Sequence, residues 1–150
     1  MVLADYGYKL AFETEGKELE IERVRGGVQS LLAKPKMGQY FIAEVEAKDE
    51  ATGEVVWKPV GTTMITFEMQ PRLGGLLYMI QSVYVDKEYR KKGVFRSLYE
   101  TVIQRAKDDP LVKAVRLYVE HDNYTAQAVY EKLGMTKLDT SNFDEKDFVF

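Results

Sequence analysis

The sequence contains no cysteine and a single histidine, His121, among its 150 residues. The absence of cysteine excludes disulfides, thiolate metal ligands and a cysteine nucleophile, and one histidine is too few for a histidine-rich zinc site. No apolar run approaches the roughly 20 residues that a membrane-spanning helix needs. The opening segment, Met1–Tyr6, has neither a basic leader nor an apolar core. We therefore expect no metal, no membrane partner, no secretory signal and a cytoplasmic location.

The composition indicates one globular domain covering residues 1–150. Hydrophobic residues make up 45% of the chain and charged residues 30%, which is ordinary for a soluble protein with a real core. The net charge of −3 argues against a nucleic-acid partner, because binding a phosphate backbone needs a broadly basic surface. The cations instead gather locally, between Lys87 and Arg96.

The spacing of apolar residues predicts the order of the elements. The predicted helices are a short one around Leu3–Leu10, Leu19–Leu32, one from Phe95 that ends before Pro110, and one capped by Asp122 or Asn123 and ended by Gly134. The predicted strands are Tyr40–Ala47, Val60–Met69 after a Thr52-Gly53 turn, Leu77–Val85, Ala114–Val119, a short one after Met135, and Phe148–Phe150 beyond a polar loop at Asp139–Asp147. This order suggests a mixed sheet covered by helices, which is an α/β layer fold.

The chain is organised around Tyr78–Lys107, a strand followed by a basic turn and an amphipathic helix. Gly93 stands in that turn with cations on both sides, so backbone N–H groups are left bare at the positive end of a helix dipole. Such a turn can hold a phosphate, although a solvated loop is an equally acceptable interpretation. The turn is neither a Walker loop nor the three-glycine dinucleotide fingerprint.

A second motif lies downstream, in the string from Asn123 through Ala126 to Tyr130-Glu131-Lys132-Leu133-Gly134. Asn123 and Tyr130 are seven residues apart, about two helical turns, and so share a face. Together with Arg90-Lys91-Lys92-Gly93-Val94-Phe95, this string resembles the GNAT superfamily of acetyl-CoA-dependent N-acetyltransferases. The resemblance covers roughly residues 17–140.

The resemblance implies an α/β (α+β) fold, in which a mixed, mostly antiparallel, twisted sheet of six to seven strands is flanked by about four helices. The first strand of that sheet would have to come from Met1–Ala4 or be missing. The implied activity is transfer of the acetyl group of acetyl-CoA, as co-substrate, to a primary amine of a small molecule or peptide by direct attack. The alternative is a non-catalytic acyl-CoA-binding or regulatory module. A homodimer through the carboxy-terminal strands is also compatible with the resemblance.

The resemblance also implies which residues form the site. Main-chain groups at the end of the central strand would bind the pantetheine, and the basic turn would cradle the diphosphate. Asn123 would contact the pantetheine, and Tyr130 would protonate the departing thiolate as well as contact the co-substrate. The expected co-substrate residues are Val83, Tyr84, Val85, Arg90, Lys91, Lys92, Gly93, Val94, Phe95, Arg96, Asn123 and Tyr130.

The acceptor side of the site is less sharply defined. Glu68 is the first candidate for the general base, and its alternative is a solvated charge at a strand end. Gln81, Ser82 and Glu120 are expected around the acceptor amine, with Glu120 and His121 as second candidates for the base. The chain departs from the family pattern at Phe95, where a small residue is usual. A phenyl group there could narrow the diphosphate site unless it turns onto the core.

Overall fold

The computed structural model describes residues 1–138 and confirms the predicted order of helices and strands. The elements are α1 (Val2–Glu15), α2 (Ile21–Leu32), β1 (Gly38–Lys48), β2 (Val55–Gln70), β3 (Gly75–Val85), α3 (Val94–Asp108), β4 (Val112–Leu117) and α4 (Tyr124–Lys132). The chain forms two compact units, Met1–Tyr118 and the segment that begins at Val119. None of the helices within residues 1–138 is long and apolar enough to cross a membrane.

The first unit contains a mixed sheet in the order β1-β2-β3-β4. The two pairings of β1 with β2 and of β2 with β3 are antiparallel, whereas β3 and β4 are parallel. The expectation of a mixed, mostly antiparallel sheet is confirmed, as is the expected number of four helices. The expected number of strands, six to seven, is wrong for residues 1–138, which form four.

The missing strands have identifiable reasons. Met1–Ala4 does not form a strand, because Leu3, Ala4 and Tyr6 bury one face of α1 at helical spacing. Residues 135–138 contain no strand either. The predicted polar loop at Asp139–Asp147 and the strand at Phe148–Phe150 lie outside the described residues.

The β1–β2 hairpin is longer than the sequence predicts. Its second strand begins at Val55 rather than Val60, because Pro59 is accommodated at a bulge. Pro59 pairs with Glu44 and Gly61 with Ala43, so Val60 is the extra residue between them. Proline lacks an N–H group and is tolerated within a sheet at such a bulge.

Helices cover both faces of the sheet. On one face the ring of Tyr84 lies 5.0 Å from that of Tyr6 in α1. On the other face α3 packs closely, since a Cβ atom at Gly61 would lie 3.0 Å from a methyl carbon of Val94. The largest fully buried side chains are Val60, Thr63, Ile65, Leu77 and Val102. This core fixes the position of β3, the strand that the sequence places at the centre of the site.

Candidate active site

Strands β3 and β4 are paired at one end only. At the paired end Gly75 allows a close approach, because a Cβ atom there would lie 2.1 Å from the carbonyl oxygen of Leu111. Pairing stops at Ile80 and Leu117, while β3 continues to Val85. No other strand within residues 1–138 pairs with this edge of β3 after Ile80. The last five residues of β3, 81–85, therefore have an open edge.

Hydrogen bonds to β2 show which main-chain groups face that edge. The N–H of Asp86 donates to the carbonyl of Val60 at 2.9 Å, and the Thr63 hydroxyl donates to the carbonyl of Ser82 at 2.9 Å. Main-chain groups of successive residues in an antiparallel strand point to alternate sides. Those of Val83 and Val85 therefore point away from β2, toward the open edge. An extended chain with amide groups could add there as a further strand.

The turn between β3 and α3 exposes the start of the helix. Gly93 is the N-cap of α3 with a φ of 85°, and no side chain caps this end of the helix. The first N–H groups of a helix have no intrahelical partner and carry its partial positive charge. A Cβ atom at Gly93 would meet nothing within 4 Å, so an anion can approach the backbone here. Lys91 has a φ of 61°, the only positive φ of a non-glycine residue within 1–138.

Phe95 packs along the helix. Its half-buried ring lies 6.2 Å from that of Tyr99, one turn further into α3. The contact turns the phenyl group onto a residue that is itself buried. The fit of a diphosphate to the turn is therefore compatible with the phenyl group, because the space over Gly93 stays open.

The basic residues of the turn have different surroundings. Arg90 donates from Nη2 to Glu13 at 2.6 Å and from Nε to the carbonyl of Val85 at 2.9 Å. Arg96 pairs with Glu100 at 3.1 Å along α3. The ammonium groups of Lys92 and Lys58 lie 5.3 and 5.4 Å from the centre of the Tyr89 ring. The Lys91 and Lys92 side chains are exposed, which leaves them accessible to an anionic ligand.

The side chain of Tyr84 lies on the face of the sheet that α1 covers. The residue is buried, and by the same alternation its main-chain groups point toward β2. Its hydroxyl donates to Glu13 at 3.1 Å. Burial, followed by this hydrogen bond, raises the pKa of the Tyr84 phenol to about 12. Its side chain thus links β3 to α1 and is not directed to the open edge.

A bulge in β3 places polar side chains together on the face that α1 covers. Ser82 pairs with Met64 and Ile80 with Ile65, so Gln81 is the extra residue. The Gln81 amide donates to the Thr66 hydroxyl at 2.9 Å. Bulges redirect side chains and are frequent beside active sites.

Glu68 lies two residues beyond Thr66 on the same strand face, about 7 Å along the strand. Its carboxylate is exposed and accepts a hydrogen bond from the Gln70 amide. Glu68, Thr66 and Gln81 thus form a polar row on one face of the sheet.

The second unit contains the other sequence motif. Asn123 caps α4, its side-chain oxygen accepting from the N–H of Ala126 at 3.1 Å. The Gln127 amide donates to the carbonyls of Glu120 and His121 at 3.1 and 2.9 Å, which ties that segment to the helix. Tyr130 is half-buried, and burial raises the pKa of its phenol.

Two residues of the first unit, Glu13 and Thr66, could not be recognised from the sequence as partners of site residues. Glu13 lies 77 positions before Arg90, and Thr66 lies 15 positions before Gln81. An acidic residue near a helix end and a threonine in a strand are common, so no local pattern could single them out. Only the fold brings each to its partner.

The first unit also has a cleft that lies away from the open edge of β3. A shallow cleft of about 270 Å³ lies between the end of α3 and the start of β4, lined by residues such as Ile103 and Val112. Val112 pairs with Leu76, seven residues before Val83, so the cleft lies at the opposite end of β3 from the open edge. Within residues 1–138 no cluster of acidic and histidine side chains could hold a metal ion.

Comparison with known proteins identifies relatives over most of the chain. A model of the acetyltransferase (GNAT) family matches residues 8–135. The crystal structure of a possible acetyltransferase from Clostridium difficile 630 is 36% identical, with a TM-score of 0.84, over 99% of this chain and 91% of that one.

Two further similarities concern proteins with named activities. An N-alpha-acetyltransferase of Saccharolobus solfataricus is 37% identical over 59 residues, which is 39% of this chain and only 35% of that protein. A ribosomal-protein-alanine N-acetyltransferase from Brucella melitensis biovar Abortus 2308 is 15% identical, with a TM-score of 0.67, over 96% of this chain and 93% of that one. The latter similarity shows the shared fold alone.

Proposed function

Because the chain belongs to the acetyltransferase (GNAT) family, we propose that it moves the acetyl group of acetyl-CoA to a primary amine of a small molecule or peptide. The observation that carries this proposal is the open edge of β3 beside the uncapped start of α3. The edge offers main-chain groups to an amide-containing chain, and the helix start offers N–H groups to a diphosphate. The partial match to an N-alpha-acetyltransferase supports an amine acceptor.

The residues of the first unit divide the binding task. Val83 and Val85 present the main-chain groups for the pantetheine amides, and the turn from Lys91 through Gly93 to Arg96 holds the diphosphate. Bound acetyl-CoA supplies an activated acyl group, whose carbon–sulfur bond breaks as a carbon–nitrogen bond forms to the acceptor. The bulge at Gln81 and the neighbouring Ser82 then line the acceptor side.

Proton transfers complete the proposed reaction. Glu68, directly or through water, takes the proton that the attacking nitrogen must lose, and Glu120 is the second candidate for that role. Tyr130 returns a proton to the thiolate sulfur, so charge is balanced without a covalent enzyme intermediate. The roles of Tyr130 and Asn123 rest on the sequence motif that they share with the family.

A thiol-release assay with a panel of amines tests the proposal. The panel should contain polyamines, free amino acids and short peptides with free amino termini, each incubated with acetyl-CoA and the full chain. We expect thiol release that depends on the amine, and a product heavier by one acetyl group in mass spectrometry. Acetyl-CoA without an amine is the control for hydrolysis. Binding of CoA with no acetylated amine would instead favour a non-catalytic acyl-CoA-binding module.

A further inference from the structure

The carboxylate of Glu13, near the end of α1, gathers three partners from β3 and the turn that follows it. Arg90 Nη2 lies 2.6 Å from Oε2, the Tyr84 hydroxyl lies 3.1 Å from Oε1, and Lys87 Nζ lies 3.7 Å from Oε1. Hydrogen bonds and charge, led by Arg90, lower the pKa of this carboxyl. Glu13 is therefore ionised at neutral pH and holds two of the cations that the sequence assigns to the turn.

Arg90 makes a second bond that a simple surface ion pair would not need. Its Nε donates to the carbonyl of Val85 at 2.9 Å, at the end of β3's open edge. Its guanidinium also lies 5.8 Å from the centre of the Tyr84 ring. The planar fork of arginine can serve two acceptors at once, which lysine cannot do in the same geometry. Arg90 thus connects α1 to the last residue of β3.

The start of the turn has a separate attachment to the same helix. Asp86 accepts from the Tyr6 hydroxyl at 2.9 Å and pairs with Lys9 at 3.4 Å. The turn between Asp86 and Gly93 is therefore held to α1 at two points. The Arg90 side chain is 44% exposed, and an ion pair of this kind contributes little to stability. The Glu13–Arg90 pair therefore acts mainly by fixing the position of the turn relative to α1.

We propose that Glu13 and Arg90 are positioning residues that set the turn before α3 in the conformation that binds the diphosphate of CoA. In this arrangement Arg90 acts through Glu13 and Val85, to which its Nη2 and Nε groups already donate, rather than through the diphosphate. The inference rests on the proposed function, since it assumes that the turn binds CoA. It adds a role for α1, to which the family resemblance assigned no site residue.

The two possible roles of Arg90 predict opposite effects of one substitution. Glu13→Gln removes a negative charge and releases the Arg90 and Lys87 cations. If Arg90 contacted the diphosphate directly, this change would strengthen the binding of an anionic ligand or leave it unchanged. If Glu13 positions the turn, the same change weakens binding even though the protein becomes more positive.

Calorimetric titration of CoA into the full chain measures this sign. We expect Glu13→Gln to raise the dissociation constant about tenfold. Arg90→Lys should do the same, and the double variant should be no worse than either single one, because both break a single connection. Glu15→Gln is the matched control, since it removes the same charge two residues away on α1, where Glu15 pairs with Lys17. It should leave CoA binding unchanged.

Steady-state kinetics and a second variant complete the test. A positioning role predicts a raised KM for acetyl-CoA with kcat nearly unchanged in Glu13→Gln, whereas general unfolding would lower the active fraction and hence kcat. Tyr84→Phe, which removes the hydroxyl bonded to Glu13, should weaken CoA binding about twofold to threefold. It decides the question if Glu13→Gln fails to fold, because a direct-contact role for Arg90 predicts no change.

The inference and the proposed function fail in distinguishable ways. If the wild-type chain binds CoA and folded Glu13→Gln binds it equally well or more tightly, the positioning role is overturned while the acetyltransferase proposal stands. If the wild-type chain binds no CoA, both are overturned. If CoA binding weakens as expected but no amine is acetylated, the positioning role is supported and the proposed reaction is not.

Discussion

At the scale of single residues, Tyr130 is a phenol whose proton is held more firmly than usual. Burial raises its pKa above the ordinary value of 10, so the group is protonated throughout the neutral range. A protonated phenol can act as a general acid, and the alkaline limit of that role lies above pH 10. Tyr130→Phe should therefore lower kcat by about a hundredfold, with little change in the KM for acetyl-CoA. Thiol-release kinetics measure both constants.

That result depends on Tyr130 touching the reacting sulfur. A substitution that changes neither constant would remove Tyr130 from the proposed mechanism and leave protonation to solvent. Tyr118→Phe is a suitable control, because the Tyr118 side chain is 78% exposed and lies outside the α4 motif.

Glu13 makes a second prediction, which concerns stability and pH. Arg90, Lys87 and the Tyr84 hydroxyl face its carboxylate, and its pKa lies below the ordinary 4.5. Because the folded state binds this proton less readily than the unfolded chain, the stabilisation is present above pH 4.5. It is lost as the pH falls through the lowered pKa. Wild type and Glu13→Gln should thus differ most in unfolding free energy near pH 7, and the difference should shrink toward pH 3.

Urea unfolding at several pH values measures that difference directly. A gap that stays constant down to pH 3 would mean that the Glu13 carboxylate contributes no charge-dependent stability. The half-exposed position of Arg90 argues for a small gap even at pH 7, because solvent screens the pair.

At the scale of the elements, two glycines have the same backbone requirement but different positions. Gly93 starts α3 with a φ of 85°, and Gly53 lies in the β1–β2 turn with a φ of 72°. A Cβ atom would meet nothing within 4 Å at either position. Alanine in this conformation costs about 1 kcal/mol of stability at each site.

Only one of the two substitutions should affect the site. Gly93→Ala places a methyl group in the open space over the start of α3, so we expect about tenfold weaker CoA binding. Gly53→Ala, the matched control, should lose similar stability and bind CoA as wild type does. Thermal unfolding and calorimetry on both variants separate the two effects. Equal CoA affinity of the two variants would place the diphosphate elsewhere.

At the scale of the whole first unit, the sheet and α1 depend on a buried tyrosine. The Tyr6 hydroxyl donates to the carbonyl of Pro59 at 2.8 Å and to Asp86 at 2.9 Å, and its ring packs on Tyr84. Burial first, and then Asp86, raise the pKa of this phenol. Helix α1 is thereby joined to both the hairpin and the turn after β3.

Removing that hydroxyl should weaken the attachment of α1. Tyr6→Phe removes the hydroxyl that the Pro59 carbonyl and the Asp86 carboxylate share, and we expect a loss of about 1–2 kcal/mol in unfolding free energy. Denaturant unfolding of the full chain measures the loss. Tyr8→Phe on the same helix is the comparison. It also removes only a hydroxyl group, and the ring that remains can still stack on Phe12, 6.4 Å away between ring centres. Equal stabilities of the two variants would contradict the anchoring role.

Much of this arrangement could be predicted from local sequence. Apolar spacing predicted α2 although it contains Gly26 and Gly27, because Val28 still reaches the core from that helix. Asn123 was one of two predicted caps, and its side chain does cap α4. The basic turn and the strand before it were likewise recognisable. Each of these features depends on residues within a few positions of one another.

The number of strands, the start of β2 and the partner of Arg90 could not be predicted in that way. Pairing at a bulge let β2 extend through Pro59, and burial of Leu3 and Tyr6 made the opening segment a helix. The sequence left open whether the phenyl group of Phe95 narrows the diphosphate site. In the structure, packing on Tyr99 turns this ring along α3.

The sequence by itself determined the order of the helices and of the four described strands, the glycine before α3 and the motif that identifies the family, because propensity, capping and backbone freedom are local properties. Only the tertiary structure decided where β4 leaves β3 and that Glu13 holds Arg90, since these depend on strand register and on groups 77 positions apart. The sequence predicted that the cations of the basic turn would bind phosphate together, but the fold gives them different surroundings. Arg90 is bound to α1, while Lys91, Lys92 and the start of α3 face the solvent.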